Sequence, residues 1–217
     1  MRQKKTVVFS LLDTLTLGET EEYLFSHLFY LMQHGYEIVL ATNNSSIEKE
    51  FLARLSARDK KRFHIVLAPY RLVAIGSWQE FLKFIIVLPT AYIWCETTIK
   101  HLKKDYNHVI CLWSGFSDRL AFSGITKKYK CSLIWIEISP LEILFKKSWG
   151  FPRLWYRFAS KYPVRVIATS VSTKKSILNN TRFSQSDITL VYSGSKSKPK
   201  KKYQELMLSV IKSCSPA

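Results

Sequence analysis

The chain has no C-x-x-C pair; its four cysteines stand apart at positions 95, 111, 131 and 214. That excludes a ribbon-type zinc site and a disulfide framework. Cys111 and Cys131 sit in apolar runs and read as buried thiols of a reducing compartment. His27, His34, His64, His101 and His108 lack the H-x-x-x-H spacing with a partner acid, so no metal site is expected. The run "FLKFIIVLPTAYIW" (residues 81–94) is too short for a bilayer span, which needs about 20 apolar residues. It also carries Lys83 and Pro89, and reads as a buried or crevice helix. The opening "MRQKKTVVFSLLDTLTLGETEE" has only a short apolar run, broken at Asp13, with no small-residue cleavage site. It reads as a first strand and not a signal peptide. A cytoplasmic location is the expectation.

Acid is scarce too: 16 Asp and Glu stand against 33 Lys and Arg, for a formal net charge of +17. From residue 196 onward six lysines against Glu205 put +5 on the tail, so +12 remains on the body. Such an imbalance points to an anionic partner, whether phospholipid, phosphorylated substrate or nucleic acid. The hydrophobic share of 47% is enough for a core and excludes wholesale disorder. A length of 217 residues suits one domain, or one and a half.

Hydrophobic periodicity gives the architecture. Val7–Leu12 is a nearly unbroken apolar run, as a strand buried on both faces requires. Leu24, Phe25, Leu28, Leu31 and Met32 then form one helical stripe, with acids in the first turn and Gly35 at the C′ position. "YEIVLAT" follows as a second strand, completing a βαβ unit. The alternation continues: a helix over 47–55, a strand over 63–69, a long helix over 77–104 kinked at Pro89, and the strand "HVICLWSG". Next come the helix "DRLAFSGITKKYK", capped by Asp118, the strand "CSLIWIEIS" and a helical segment broken near Gly150–Pro152. "VRVIATS", "VSTKKSILNN" and "DITLVYS" close the series. Seven strands alternating with helices predict a doubly wound, mainly parallel α/β sheet of the Rossmann-like kind over residues 1–195. Residues 196–217 read as a lysine-rich linker and a short helix.

The order of these pieces resembles the N-terminal, acceptor-side domain of family 4 glycosyltransferases of the two-domain GT-B fold. "LGETEEYLFSHLFYLMQHGYEIVLAT" is similar to the family's glycine loop, first helix and second strand, with Tyr36 at the usual His. "VRVIATSVSTKKSIL" places Ser170 at the family's serine. "DITLVYSG" resembles its hinge, with Ser193 at the usual Asn and Gly194 matching. The family often has a His near the end of the fifth strand, and "WIEISP" has none. The resemblance implies transfer of a sugar from a nucleotide-sugar donor, which is a substrate and not a cofactor, to an acceptor held by this domain.

In such sheets the site lies at the carboxyl ends of the strands. There Gly18 permits close approach of a phosphate to a helix N-terminus, although the acids behind it oppose an anion. Trp113, Ser114, Gly115 and Ser139 are the further substrate-binding candidates, beside Ser170 and Gly194. Glu137, a carboxylate in an apolar strand, is the candidate catalytic base or acceptor ligand. "FKKSWGFPRLWYRFASKYPVR" interleaves Lys146, Lys147, Arg153 and Arg157 with Trp149 and Trp155, a mixture suited to a membrane surface. No RNP-type or helix-turn-helix pattern supports nucleic acid for the same charge.

The family's donor half, with its E-x(7)-E-type motif, is not found after residue 195. The expected partners are an anionic membrane or lipid-linked acceptor, and a separate donor-binding domain or subunit for which the helix Tyr203–Ile211 is a docking element. The alternative is a non-catalytic α/β module that binds anionic lipid.

Overall fold

The computed structural model describes residues 5–12, 18–72, 77–146, 151–192 and 201–214. Its strands are β1 (Lys5–Leu11), β2 (Glu37–Thr42), β3 (Phe63–Leu67), β4 (His108–Trp113), β5 (Ser132–Glu137), β6 (Arg165–Ala168) and β7 (Ile188–Leu190). They form one wholly parallel sheet in the order β3-β2-β1-β4-β5-β6-β7. The doubly wound Rossmann-like prediction holds, with the topological switch between β1 and β4.

Side-chain alternation along the strands divides the interior into two cores. Val7, Phe9, Ile38, Leu40, Ile110 and Leu112 face α1 (Glu19–Gln33), α2 (Ser45–Ala53) and α9 (Lys201–Ser213). Val8, Val39, Val109, Cys111 and Trp113 face the other way. On that side lie α4 (Trp78–Asp105), α5 (Phe116–Lys128), α7 (Phe151–Ala159) and α8 (Val171–Asn180). The short helices α3 (Ala57–Lys60) and α6 (Leu141–Phe145) complete the chain. Gly35 follows α1 with φ +90, a left-handed conformation that favours glycine, as its predicted C′ place demands. The four cysteines are free, and the Cys111 and Cys131 thiols share a hydrogen bond that holds Cys131 below its usual pKa.

Two expectations are revised. Residues 81–94 were expected in a buried or crevice helix; α4 starts on the crevice side, but it buries only the row Phe81, Phe84, Ala91, Cys95 and Ile99. Leu82, Ile85, Ile86 and Ile93 point outward, because the run is apolar around most of the helix and only one row meets the core. The second correction concerns the tail. Met207, Leu208, Val210 and Ile211 of α9 are buried against α1 and the sheet, and Ser132 Oγ donates to the Cys214 carbonyl at 2.7 Å. The apolar face expected to dock a separate half is occupied within its own domain.

Candidate functional site

The carboxyl ends of β1, β4, β5 and β6 open on one edge of the sheet, and the helices that follow them start there. Gly18 precedes α1 and is exposed, and its carbonyl accepts from the Glu22 amide at 3.0 Å. Of the predicted acids in that first turn, Glu22 turns aside to Arg54, the C-cap of α2, at 2.5 Å, and this pairing lowers its pKa. Gly115 is the N-cap of α5, and Ser139 stands exposed after β5. Ser170 caps α8: its Oγ accepts from the Thr173 amide at 3.0 Å. The ends of β1, β4, β5 and β6 thus bring Gly18, Ser114, Gly115, Ser139 and Ser170 to one edge. Gly194, Lys147 and Trp149 lie outside the described residues. Trp113 ends β4 but points into the core, edge-on to Phe122 at a centroid distance of 5.9 Å. Its indole N–H has no hydrogen-bond partner among the described residues, and it lines a small apolar gap with Trp94, Cys95 and Thr98 of α4.

Under this edge lies a sealed polar network. α5 is enclosed between the sheet, α4 and α7, with Phe116 to Ser123 buried without a break. Any charge on it therefore needs an internal partner. Asp118 was expected to cap α5; the cap is Gly115, and Asp118 lies one turn in at 0% exposure, where its Oδ2 accepts from Ser10 Oγ of β1. Ser114 Oγ in turn donates to the Ser10 carbonyl at 3.2 Å. Arg119 donates from Nη1 to the Ser114 carbonyl at 2.6 Å and to the Ile136 carbonyl at 2.7 Å. Its Nε lies 3.1 Å from Glu137 Oε1. Tyr156 of α7 donates its hydroxyl to the same Oε1.

Glu137 is therefore paired, as a carboxylate in an apolar strand must be. It is 1% exposed, and burial raises its pKa despite the opposing pulls of Arg119 and Tyr156. Burial and the neighbouring carboxylate push the Tyr156 phenol well up. In this geometry Glu137 is not open to the crevice. What it does is hold Arg119, and Arg119 ties the ends of β4 and β5 together. Ser10, Arg119 and Tyr156 were missed by the sequence reading. The available signal was compositional: a charged pair, Asp118–Arg119, a few residues after a strand and Gly115.

Among the described residues no group of three His, Cys, Asp or Glu side chains stands close enough to hold a metal ion. In the segment expected at a membrane surface, Lys146, Arg153 and Arg157 are exposed. Trp155 turns inward between α7 and α4, with its ring 5.6 Å from Phe84 and 6.4 Å from Phe81. The outward apolar side chains there are Leu154 and Phe158.

No protein-family model matches the chain, and no curated protein matches it in sequence. Solved structures do resemble it. A UDP-N-acetylglucosamine 2-epimerase superposes with a TM-score of 0.59 at 11% identity, over 88% of this chain and 48% of the other. Arabidopsis thaliana UGT89C1 in complex with UDP gives 0.59 at 10% identity, over 98% and 55%. The Neisseria meningitidis UDP-GlcNAc 2-epimerase bound to UDP-GlcNAc gives 0.56 at 13% identity, over 87% and 45%. The chain spans about half the length of these structures. At such identities the likeness is one of fold, and the fold is a Rossmann-like α/β domain of the GT-B kind.

Proposed function

We propose that the chain is the acceptor-side domain of a glycosyltransferase of the family 4 type, the N-terminal half of a GT-B architecture. It holds a lipid-linked or glycan acceptor, and a second domain or subunit supplies the nucleotide-sugar donor. The observation that carries this reading is the crevice edge itself. The N-termini of α1, α5 and α8 start at the carboxyl ends of β1, β4 and β6, around the switch point where open α/β sheets bind ligands. Helix N-termini favour anionic groups, so a phosphate-bearing acceptor suits this edge. Gly18, Ser114, Gly115, Ser139 and Ser170 are the contacts, with Trp113 beneath them as floor. Glu137 acts in this reading as a positioning residue through Arg119. Peripheral attachment at the cytoplasmic face, with Lys146, Arg153 and Arg157 over anionic lipid, belongs to the same proposal.

The test is a backbone-amide NMR titration of the chain with a water-soluble short-prenyl diphosphate-linked N-acetylglucosamine, without vesicles. Shifts confined to Gly18, Ser114–Gly115, Ser139 and Ser170 are the expected outcome. Shifts only at the opposite edge of the sheet, or none at saturating probe, overturn it.

A further inference from the structure

α4 is too long for the sheet it covers. Its 28 residues span about 42 Å, whereas β4, with six residues, spans about 20 Å. The C-terminus of α4 is tied to the start of β4 through Tyr106 and residue 107, so the excess emerges at the other end. Trp94, Cys95, Thr98 and Ile99 already meet Leu12 and Trp113 at the carboxyl ends of β1 and β4. The first four turns of α4 therefore stand beyond the sheet, on the crevice side. They are braced from behind by Trp155 of α7 and by Tyr70, whose hydroxyl donates to the Ala91 carbonyl at 3.4 Å.

The outer side of this projecting half, continued to Ile93, is a single apolar stripe of roughly 100°. Trp78 is 53% exposed, Leu82 46%, Ile85 39%, Ile86 75% and Ile93 64%. Pro89 lies on the same row and is exposed. Next to it, across Trp155, α7 exposes Leu154 at 56% and Phe158 at 61%. Cations flank both ridges: Lys83 on α4, Arg153 and Arg157 on α7, and Lys161 just beyond. α7 carries no acid, and Glu96, at the far end of the stripe, is taken up by Lys128 and Tyr129.

We propose that the projecting half of α4, with Leu154 and Phe158 of α7, is a docking face for an anionic lipid bilayer. The helix lies in the interface plane with its stripe at acyl depth and the flanking cations at the headgroups. Aliphatic side chains ringed by arginine and lysine match that layered chemistry. A nucleic acid offers no acyl layer for Ile86 and Ile93. The stripe does not make α4 a spanning helix, since its other face is fixed to α5 and β4. Because the stripe is on the crevice side, docking brings the membrane to the crevice mouth. The docking deepens the peripheral attachment proposed above and rests on that reading, as does the delivery of a lipid-linked acceptor.

The experiment is co-sedimentation with vesicles of equal parts phosphatidylglycerol and phosphatidylcholine, against pure phosphatidylcholine. Ile86→Glu and Ile93→Glu are each expected to lower partitioning roughly tenfold. Arg153→Gln and Arg157→Gln should each lower it roughly fivefold at low salt, and only for the anionic vesicles. Ser209→Glu makes the same charge change on the exposed side of α9, in the other layer, and should leave binding unaltered. Ile86→Ser is the milder companion, with an unchanged thermal melt as evidence of folding. Absence of binding at low salt, unaltered binding by the isoleucine variants, or an equal loss with Ser209→Glu overturns the proposal. So does a lipid-free dimer in sedimentation velocity that Ile86→Glu dissolves, which makes a second copy the occupant, or saturable binding of the stripe to RNA. Vesicle binding reads no sugar chemistry, so its failure and that of the acceptor titration are separate results.

Discussion

Beneath the crevice, Asp118, Arg119 and Glu137 are at most 2% exposed, while on α4 Ile86 and Ile93 stand 75% and 64% exposed. Each region reverses the ordinary placement of its residue type. The reversal at the crevice floor is resolved inside the chain: Ser10 meets Asp118, and Arg119 and Tyr156 meet Glu137. The reversal on α4 is not resolved by any described part of the chain. An internal network of this kind fixes geometry at a cost in desolvation, whereas an open apolar stripe costs the fold nothing and awaits something outside it.

If that contrast is right, breaking the network should be the most damaging change. Arg119→Met leaves the Glu137 carboxylate enclosed without its cation, and should lower the unfolding free energy by about 3–5 kcal/mol in urea titrations. Adding Glu137→Leu should recover most of that loss, since a buried pair replaced whole is far less harmful than one halved. Ile211→Ala, on the face by which α9 joins the core, should cost about 3 kcal/mol in the same assay. An effect near zero there would return α9 to the status of a free docking helix.

His27 gives the next effect. It is 1% exposed in α1, with neither ring nitrogen hydrogen-bonded to any described residue, and desolvation depresses its pKa from 6.5 to about 4. The unfolded chain therefore binds a proton at a higher pH than the folded one. The stabilisation from the neutral ring is complete above pH 6.5 and falls away as pH drops toward 4. By pH 5 the loss should reach about 2 kcal/mol, and His27→Leu should flatten that part of the stability–pH curve. The smallest effect belongs to the open stripe. Ile86→Ser should shift unfolding by less than about 0.5 kcal/mol, because its side chain is mostly in water already.

The sheet and the α1 stripe were legible because strong periodicity reports one buried face. Leu24, Phe25, Leu28, Leu31 and Met32 were all placed correctly. The N-cap role of Ser170 was not assigned from sequence, although Ser-x-x-Thr before a helical run carries that signal. Where periodicity vanished, sequence reading failed in two opposite ways. Residues 81–94 are apolar nearly all round, so nothing in them says which row meets the core. Asp118 and Arg119 look like the polar start of a surface helix, and only the positions of α4 and α7 turn that start inward. Tyr156 was hidden for a similar reason: it sits among Arg153, Leu154, Arg157 and Phe158, which do face outward, yet its hydroxyl ends at Glu137.

The pairing of β1 with β4 has a consequence in time. Thr6 lies beside Val109, so the central strand of the sheet waits for a partner made roughly 100 residues later. At about 5–20 residues per second, that edge of Val7, Val8 and Phe9 stays open for roughly 5–20 s of synthesis. Over that interval β1 can pair with β2 alone, and an apolar edge so exposed invites strands from other nascent chains. A holdase chaperone present during synthesis should therefore raise the soluble yield of this chain more than any substitution on its finished surface.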